Sequence, residues 1–399
     1  MAYIYAQINK ATLAHIINSK KVSHEYITTK IKVKPEKLEK WMDLSDTAFP
    51  TLNQAKDIAF CLHIPFAALY MNPQDIKIRE IPSIKNMRTL FDEKWSDDSS
   101  LNIAIVDLLI EREFLFTMRS ELNIPASSLS LPTLQGNDVI HWANEIRAFF
   151  DIKLDKQFKC SSLRQFYLYL RDQIEKSGIF VHCFTDVPLE VARGLAIYDT
   201  EMPIIGVNED DRPPAKSFTI LHELVHLLKR ESSLCNEMLN SLATQQEEVF
   251  CNAVAGEVLV PKRALELVLQ NGHYSKPYDL VNIKKIADRF SVSREVIIRR
   301  LLDTHHIDEV EYHTYADEIH RQIERDKEEQ RIARKEGRGK TIVQQPSRLA
   351  IDRTSQAVCT TLFQGYCENL YSKRDIANHV GIDQKHIDKF LMEVAKWSN

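Results

Sequence analysis

The sequence predicts a mainly α protein with a small α+β domain in its middle and an all-α helix-turn-helix domain at its N-terminus. Three observations predict it. Glycine is scarce, 10 in 399 residues, well under the usual share of roughly 7%, which disfavours glycine-turned barrels and Gly-rich nucleotide folds. One helix-turn-helix pattern is written three times. Strand-like runs are confined to residues 178–208.

Composition narrows the function classes. Apolar residues make up 44% and charged residues 27%, which suits a globular chain of two to three domains and not a disordered one. Lys and Arg number 52 against 56 Asp and Glu, a net charge of -4. Any contact with nucleic acid must therefore come from a local patch. No apolar run approaches the roughly 20 residues of a membrane span, and the first ten residues lack a signal-peptide core, so the expectation is a cytoplasmic protein with no membrane partner. Seven cysteines are scattered with no C-x-x-C pair, which points to reduced thiols and away from a thiolate metal finger.

The repeated pattern organises the two ends of the chain. Its copies run Tyr26–Trp41, Ile286–Leu301 and Ile376–Leu391, with Val33, Val292 or Ile382 closing the turn between two short amphipathic helices. Thr51 and Gln54 fit a capping box that starts a further helix, and Ile64–Tyr70 adds a closing turn. Residues 1–75 are therefore expected to be one helix-turn-helix domain, followed by a helical connector over 76–135 that contains a strong helix from Leu101 to Leu122. Helices are expected near 138–150 and 161–177, then strands at 178–184, 194–198 and 203–208. A helical C-terminal region with two helix-turn-helix-like pairs fills 273–399. Mixed charge from Asp317 to Lys340 reads as a solvated helix or linker, in preference to a nucleic-acid-binding arm. In the first copy the second helix spans Lys34–Met42. It offers Lys34, Lys37 and Lys40 to phosphates, so residues 23–42 could face double-stranded DNA. A protein-docking module of the same shape is the competing reading, because glutamates interleave with those lysines. Arg294, Arg299 and Arg300 in the second copy suit helix packing better than phosphate contact.

The chemistry sits at His222-Glu223-Leu224-Val225-His226, an H-E-x-x-H motif. Histidines at i and i+4 share a helix face and can converge on one Zn²⁺. Glu223 lies one residue off that face, where it can reach a water at the ion without ligating it. Leu221, Leu224, Val225 and Leu228 surround the polar trio, so the helix is buried, and buried ionisable groups require compensation such as a metal. Zinc needs a third protein ligand. Glu231, Glu237, Glu247, Glu248 and Glu257 are candidates. Thr244–Glu247 reads as a capping box, which assigns Glu247 to a helix start and leaves Glu248 as the choice, with Glu257 as fallback. Asn252, four residues on, stands beside the site as an outer partner. Ala255 and Gly256 are small enough to let this helix approach the one carrying His222.

Arg193-Gly194, Pro203–Asn208, Phe218–His226 and Glu248–Pro261 together resemble the ImmA/IrrE family of metallopeptidases over about 138–262. Many members begin with an XRE/Cro-type helix-turn-helix like the one at Tyr26–Trp41. The resemblance implies a zincin-like metallopeptidase domain at 136–272, with His222, His226 and Glu248 as zinc ligands and Glu223 as the catalytic glutamate. Val225 departs from the family, which usually has glycine there, and beyond 310 the resemblance is thin. It also implies a regulatory role: cleavage of a protein partner such as an XRE-type repressor or neighbouring-gene product, with the front domain as the targeting device. The rival reading is a DNA-binding or antitoxin-like regulator whose metal domain senses or scaffolds without proteolysis. The C-terminal region is expected to restrain access to the site.

Overall fold

The computed structural model describes residues 4–76, 85–86, 98–125, 129–230, 233–235, 246–274, 276, 278–335 and 345–397. Four helices open the chain: α1 (Lys10–Ser19), α2 (His24–Lys30), α3 (Pro35–Met42) and α4 (Leu52–Cys61), with a 3₁₀ turn at Phe66–Tyr70. Each start has a local cause. Asn9 and Ser23 accept hydrogen bonds from Thr12 N and Tyr26 N, Pro35 occupies the first turn of α3, and Thr51 with Gln54 forms a complete capping box. Leu13, Ile16, Ile17, Ile27, Leu38, Trp41 and Ile58 make one buried core. Lys10 reaches into it, and its Nζ donates to the carbonyls of Lys40, Asp43 and Asp46 at 2.9, 2.9 and 2.7 Å. A cation thus satisfies the last turn of α3.

Helix α5 (Ser99–Glu121) follows. Its first turns belong to the N-terminal body. Ile103 joins that core, Ser99 Oγ accepts from Ser23 N at 2.7 Å, and Asp107 meets His63 Nδ1 at 2.5 Å and Lys20 Nζ at 3.7 Å. Its remaining turns lie on a β-sheet. The expected connector helix is thus buried between two bodies.

The sheet orders its strands β1-β5-β3-β4-β2. They are β1 (Lys85–Asn86), β2 (Phe180–Phe184), β3 (Gly194–Ile197), β4 (Ile204–Asn208) and β5 (Ser233–Cys235). β2 is parallel to β4, and β3 is antiparallel to both β4 and β5. Side-chain alternation gives the sheet two apolar faces. Val181, Cys183, Ala196, Ile205 and Val207 face one helical layer, while Phe180, Phe184, Leu195, Ile197 and Ile204 face another.

The first layer contains α6 (Val139–Phe149), α7 (Leu154–Lys159), α8 (Leu163–Glu175), α9 (Pro213–Leu228), α10 (Gln246–Leu259), α11 (Lys262–Asn271), α12 (Leu280–Phe290), α13 (Arg294–Asp303) and the long α14 (Glu309–Lys335). The second layer is α5 with α15 (Pro346–Arg353), α16 (Gln356–Cys367), α17 (Lys373–His379) and α18 (Ile387–Ala395). The helices from α15 onward cover the sheet face opposite α9. Of the expected C-terminal region, α12, α13 and α14 share the layer of the motif helix α9. Fully buried Arg171 of α8 fastens the second layer by donating to the carbonyls of Ile351 and Asp352, each at 3.0 Å.

The three helix pairs have different exposures. In α13, Val296, Ile297, Ile298, Arg300 and Leu301 are all buried, so most of its surface is spent on packing. Arg300 is 4% exposed, ion-pairs with Glu257 and donates from Nε to the Val260 carbonyl at 3.1 Å. Arg147 donates to the Val258 carbonyl, and Gln157 to the Leu259 carbonyl at 2.9 Å. Three side chains from α6, α7 and α13 therefore satisfy the open end of α10, as the carbonyls of a buried helix terminus require.

Candidate metal centre

Helix α9 starts at Pro213-Pro214, where missing amide protons cost nothing. From Ala215 to Leu228 every residue is buried. Among them His222, Glu223 and His226 are 0% exposed. Val225, at the position where the resemblance expects glycine, packs in the same core. Helix α10 lies against α9. Its Phe250 meets Trp142 edge-on, with ring centroids 5.2 Å apart, and Cys251, Val254 and Ala255 are fully buried. Gly256 does not serve the α9 contact. A Cβ there would stand 3.3 Å from Arg300 Cδ, so this glycine makes room for the arginine that closes α10.

The packing brings three donors together. His222 Nε2 and His226 Nε2 are 3.2 Å apart. Glu248 Oε2 lies 3.1 Å from the first and Oε1 3.1 Å from the second. Donor atoms around a four-coordinate zinc stand about 3.3 Å apart, so the spacing suits one small cation. Among the described residues this is the one group of three or more His, Cys, Asp or Glu side chains able to hold a metal. Burial by itself would raise the Glu248 carboxyl, but hydrogen bonds and charge from His222 and His226 hold it down at about 2. Glu248 is therefore an anion throughout the working pH range. Asn252 Oδ1 is 2.9 Å from His222 Nδ1, where it accepts that ring's N–H, so Nε2 on the Glu248 side is the nitrogen a metal would take.

Glu257, the fallback ligand, is engaged elsewhere, by Arg300 and by Lys262 N at 2.9 Å. Glu231 and Glu237, and the capping box at Thr244, lie outside the described residues. Lys34, Lys37 and Lys40 are all exposed and belong to the separate N-terminal core, away from the α9–α10 pair.

Residues 175–302 match the family model of the IrrE N-terminal-like domain, Peptidase_M78. The matched stretch carries the whole α9–α10 pair and supports the ImmA/IrrE resemblance there, and with it a metallopeptidase. It does not extend to the N-terminal helices. Comparison with curated proteins returns no match.

Two features of the IrrE-like domain were not read from the sequence. The first is the fit of β3 against α9. A Cβ on Gly194 would stand 2.2 Å from Thr219 Cγ2 and 3.1 Å from Glu223 Oε1, so the strand passes directly over the glutamate. Gly194→Ala is expected to destabilise the fold by about 1–3 kcal/mol through this overlap. Thr219→Ser, which deletes the opposing methyl, should restore most of the loss in the double variant, measured by denaturant unfolding. Additive losses would show that the overlap is not the cause. The second is Cys251, whose Sγ lies 3.9 Å from His226 Nδ1. The signal for it was present: Glu248, Cys251 and Asn252 stand at i, i+3 and i+4 on one helix face.

Proposed function

We propose that the chain is a zinc-dependent metalloendopeptidase with a regulatory role, which cleaves a protein partner such as an XRE-type repressor. The observation that carries this reading is the meeting of two imidazoles and one carboxylate from two buried helices, with a second carboxylate, Glu223, on the same helix as the imidazoles. His222, His226 and Glu248 are the zinc ligands in this reading. A zinc ion held there supplies Lewis acidity, lowering the pKa of water it binds to about 7 and polarising the scissile carbonyl. Glu223 takes the proton of the attacking water and delivers it to the departing amine. Its burial and the closeness of Gly194 restrict the carboxylate to a narrow range of positions. Asn252 keeps His222 in the tautomer that the ligand role requires. Zinc content, together with cleavage of a co-expressed neighbouring-gene product, tests the assignment. A chain that binds zinc and leaves every such partner intact would instead be the sensor or scaffold.

The N-terminal body, residues 1–75, is the targeting domain in this proposal, ahead of a connector at 76–135, the peptidase domain at 136–272 and the helical region at 273–399. In α3 only Leu38 and Trp41 are buried, so Lys34, Lys37 and Lys40 form an outward basic row that supports contact with double-stranded DNA. Each lysine that meets a phosphate should contribute about one unit to the salt slope of binding. Alanine at all three is expected to flatten that slope by about three units in a titration against promoter DNA. An unchanged slope would assign α3 to a protein partner, a role that the interleaved Glu36 and Glu39 favour. A cytoplasmic location agrees with the free state of the six cysteines whose side chains are described.

A further inference from the structure

We infer that Cys251 is the positioning residue of His226, its thiol sulfur accepting the imidazole Nδ1–H so that Nε2 is presented to the metal. The inference rests on the zinc reading above. Three observations carry it. Sγ is 3.9 Å from His226 Nδ1, within the longer reach of hydrogen bonds to sulfur. The thiol and the imidazole are both 0% exposed. The neighbouring residue on α10 does the same for the other ligand, since Asn252 Oδ1 stands 2.9 Å from His222 Nδ1. One face of α10 therefore supplies a ligand, Glu248, and then in two consecutive residues the outer partners of both histidines.

An imidazole can ligate through only one nitrogen while the other holds the proton, and the group that receives that proton decides which. Asn252 makes a short bond of fixed direction. Cys251 makes a longer and softer one.

The test compares Cys251→Ala and Cys251→Ser in the full chain by two readouts, zinc affinity against a competing chelator and stability of the metal-free protein. Alanine should weaken zinc binding about 10–100-fold, the usual effect of losing an outer partner. Serine keeps an acceptor and should retain affinity within a few-fold of the native chain. A merely structural cysteine gives the opposite order in stability, because a buried hydroxyl is worse than a methyl in an apolar pocket. Equal zinc affinity in the alanine variant and the native chain would overturn the proposal. Should either variant fail to fold, the zinc-loaded native protein decides by NMR. The His226 Nδ1 proton should exchange slowly with water and show a cross-peak to the Cys251 β-protons, and ligation through Nδ1 would refute the assignment. If the native chain binds no zinc at all, it is the underlying metal reading that fails.

Discussion

Glu223→Gln should bind zinc as the native chain does and hydrolyse a polypeptide substrate at least about a thousand-fold more slowly. The two halves of this result come from different parts of the structure. In the proposed reading zinc would be held by Nε2 of His222, Nε2 of His226 and the Glu248 carboxylate, which already stand 3.1–3.2 Å from one another. None of these atoms belongs to Glu223. An amide in place of its carboxylate is nearly the same size, so the space between α9 and Gly194 is still filled. What is lost is the basic oxygen that accepts a proton from water and passes it to the amine. Zinc content by elemental analysis and cleavage followed by gel separate the two halves. Hydrolysis at the native rate would remove Glu223 from the reaction, and a loss of zinc together with activity would make it a ligand.

Glu248→Ala should bring the opposite pairing, with zinc affinity falling by about a thousand-fold or more and activity falling with it. Three protein ligands are the minimum for a catalytic zinc site, and in the proposed set the anionic one, Glu248, comes from α10. Its removal takes away the carboxylate that stands 3.1 Å from both imidazoles. The metal-free protein should remain folded, because α10 is anchored at its far end by Arg147, Gln157 and Arg300 and along its length by Phe250, Cys251 and Val254. Competition with a chromogenic chelator measures the first effect and circular dichroism the second. Zinc retained at native affinity would place the third ligand on another residue.

Much of the centre was legible because its parts are close in sequence. Four residues separate His222 from His226, and helical geometry alone puts them on one face. The third candidate ligand was harder, since four other glutamates lie within reach along the chain. What favoured Glu248 was the supposed engagement of Glu247 at a helix start, and the geometry of α10 now supplies a positive reason. The sheet was legible only where burial is continuous. β2, β3 and β4 are runs of four or five residues whose described side chains are nearly all buried, whereas β1 and β5 have two and three residues and give no pattern to read. Six-residue α7 was missed for the same reason. Long-range partnerships carried no local signal: nothing near Gly256 announces Arg300, and nothing near Arg171 announces the Asp352 carbonyl.

Helix α5 gives its first turns to one hydrophobic core and the rest to another, so it has no loose length on which the front body could swing. A client gripped at the front would be offered to the protease from a set distance and angle. In the proposed reading, the slack needed to bring a cleavable stretch to the α9–α10 pair would then come from the client, which favours clients with long unstructured tails or hinges over compact ones.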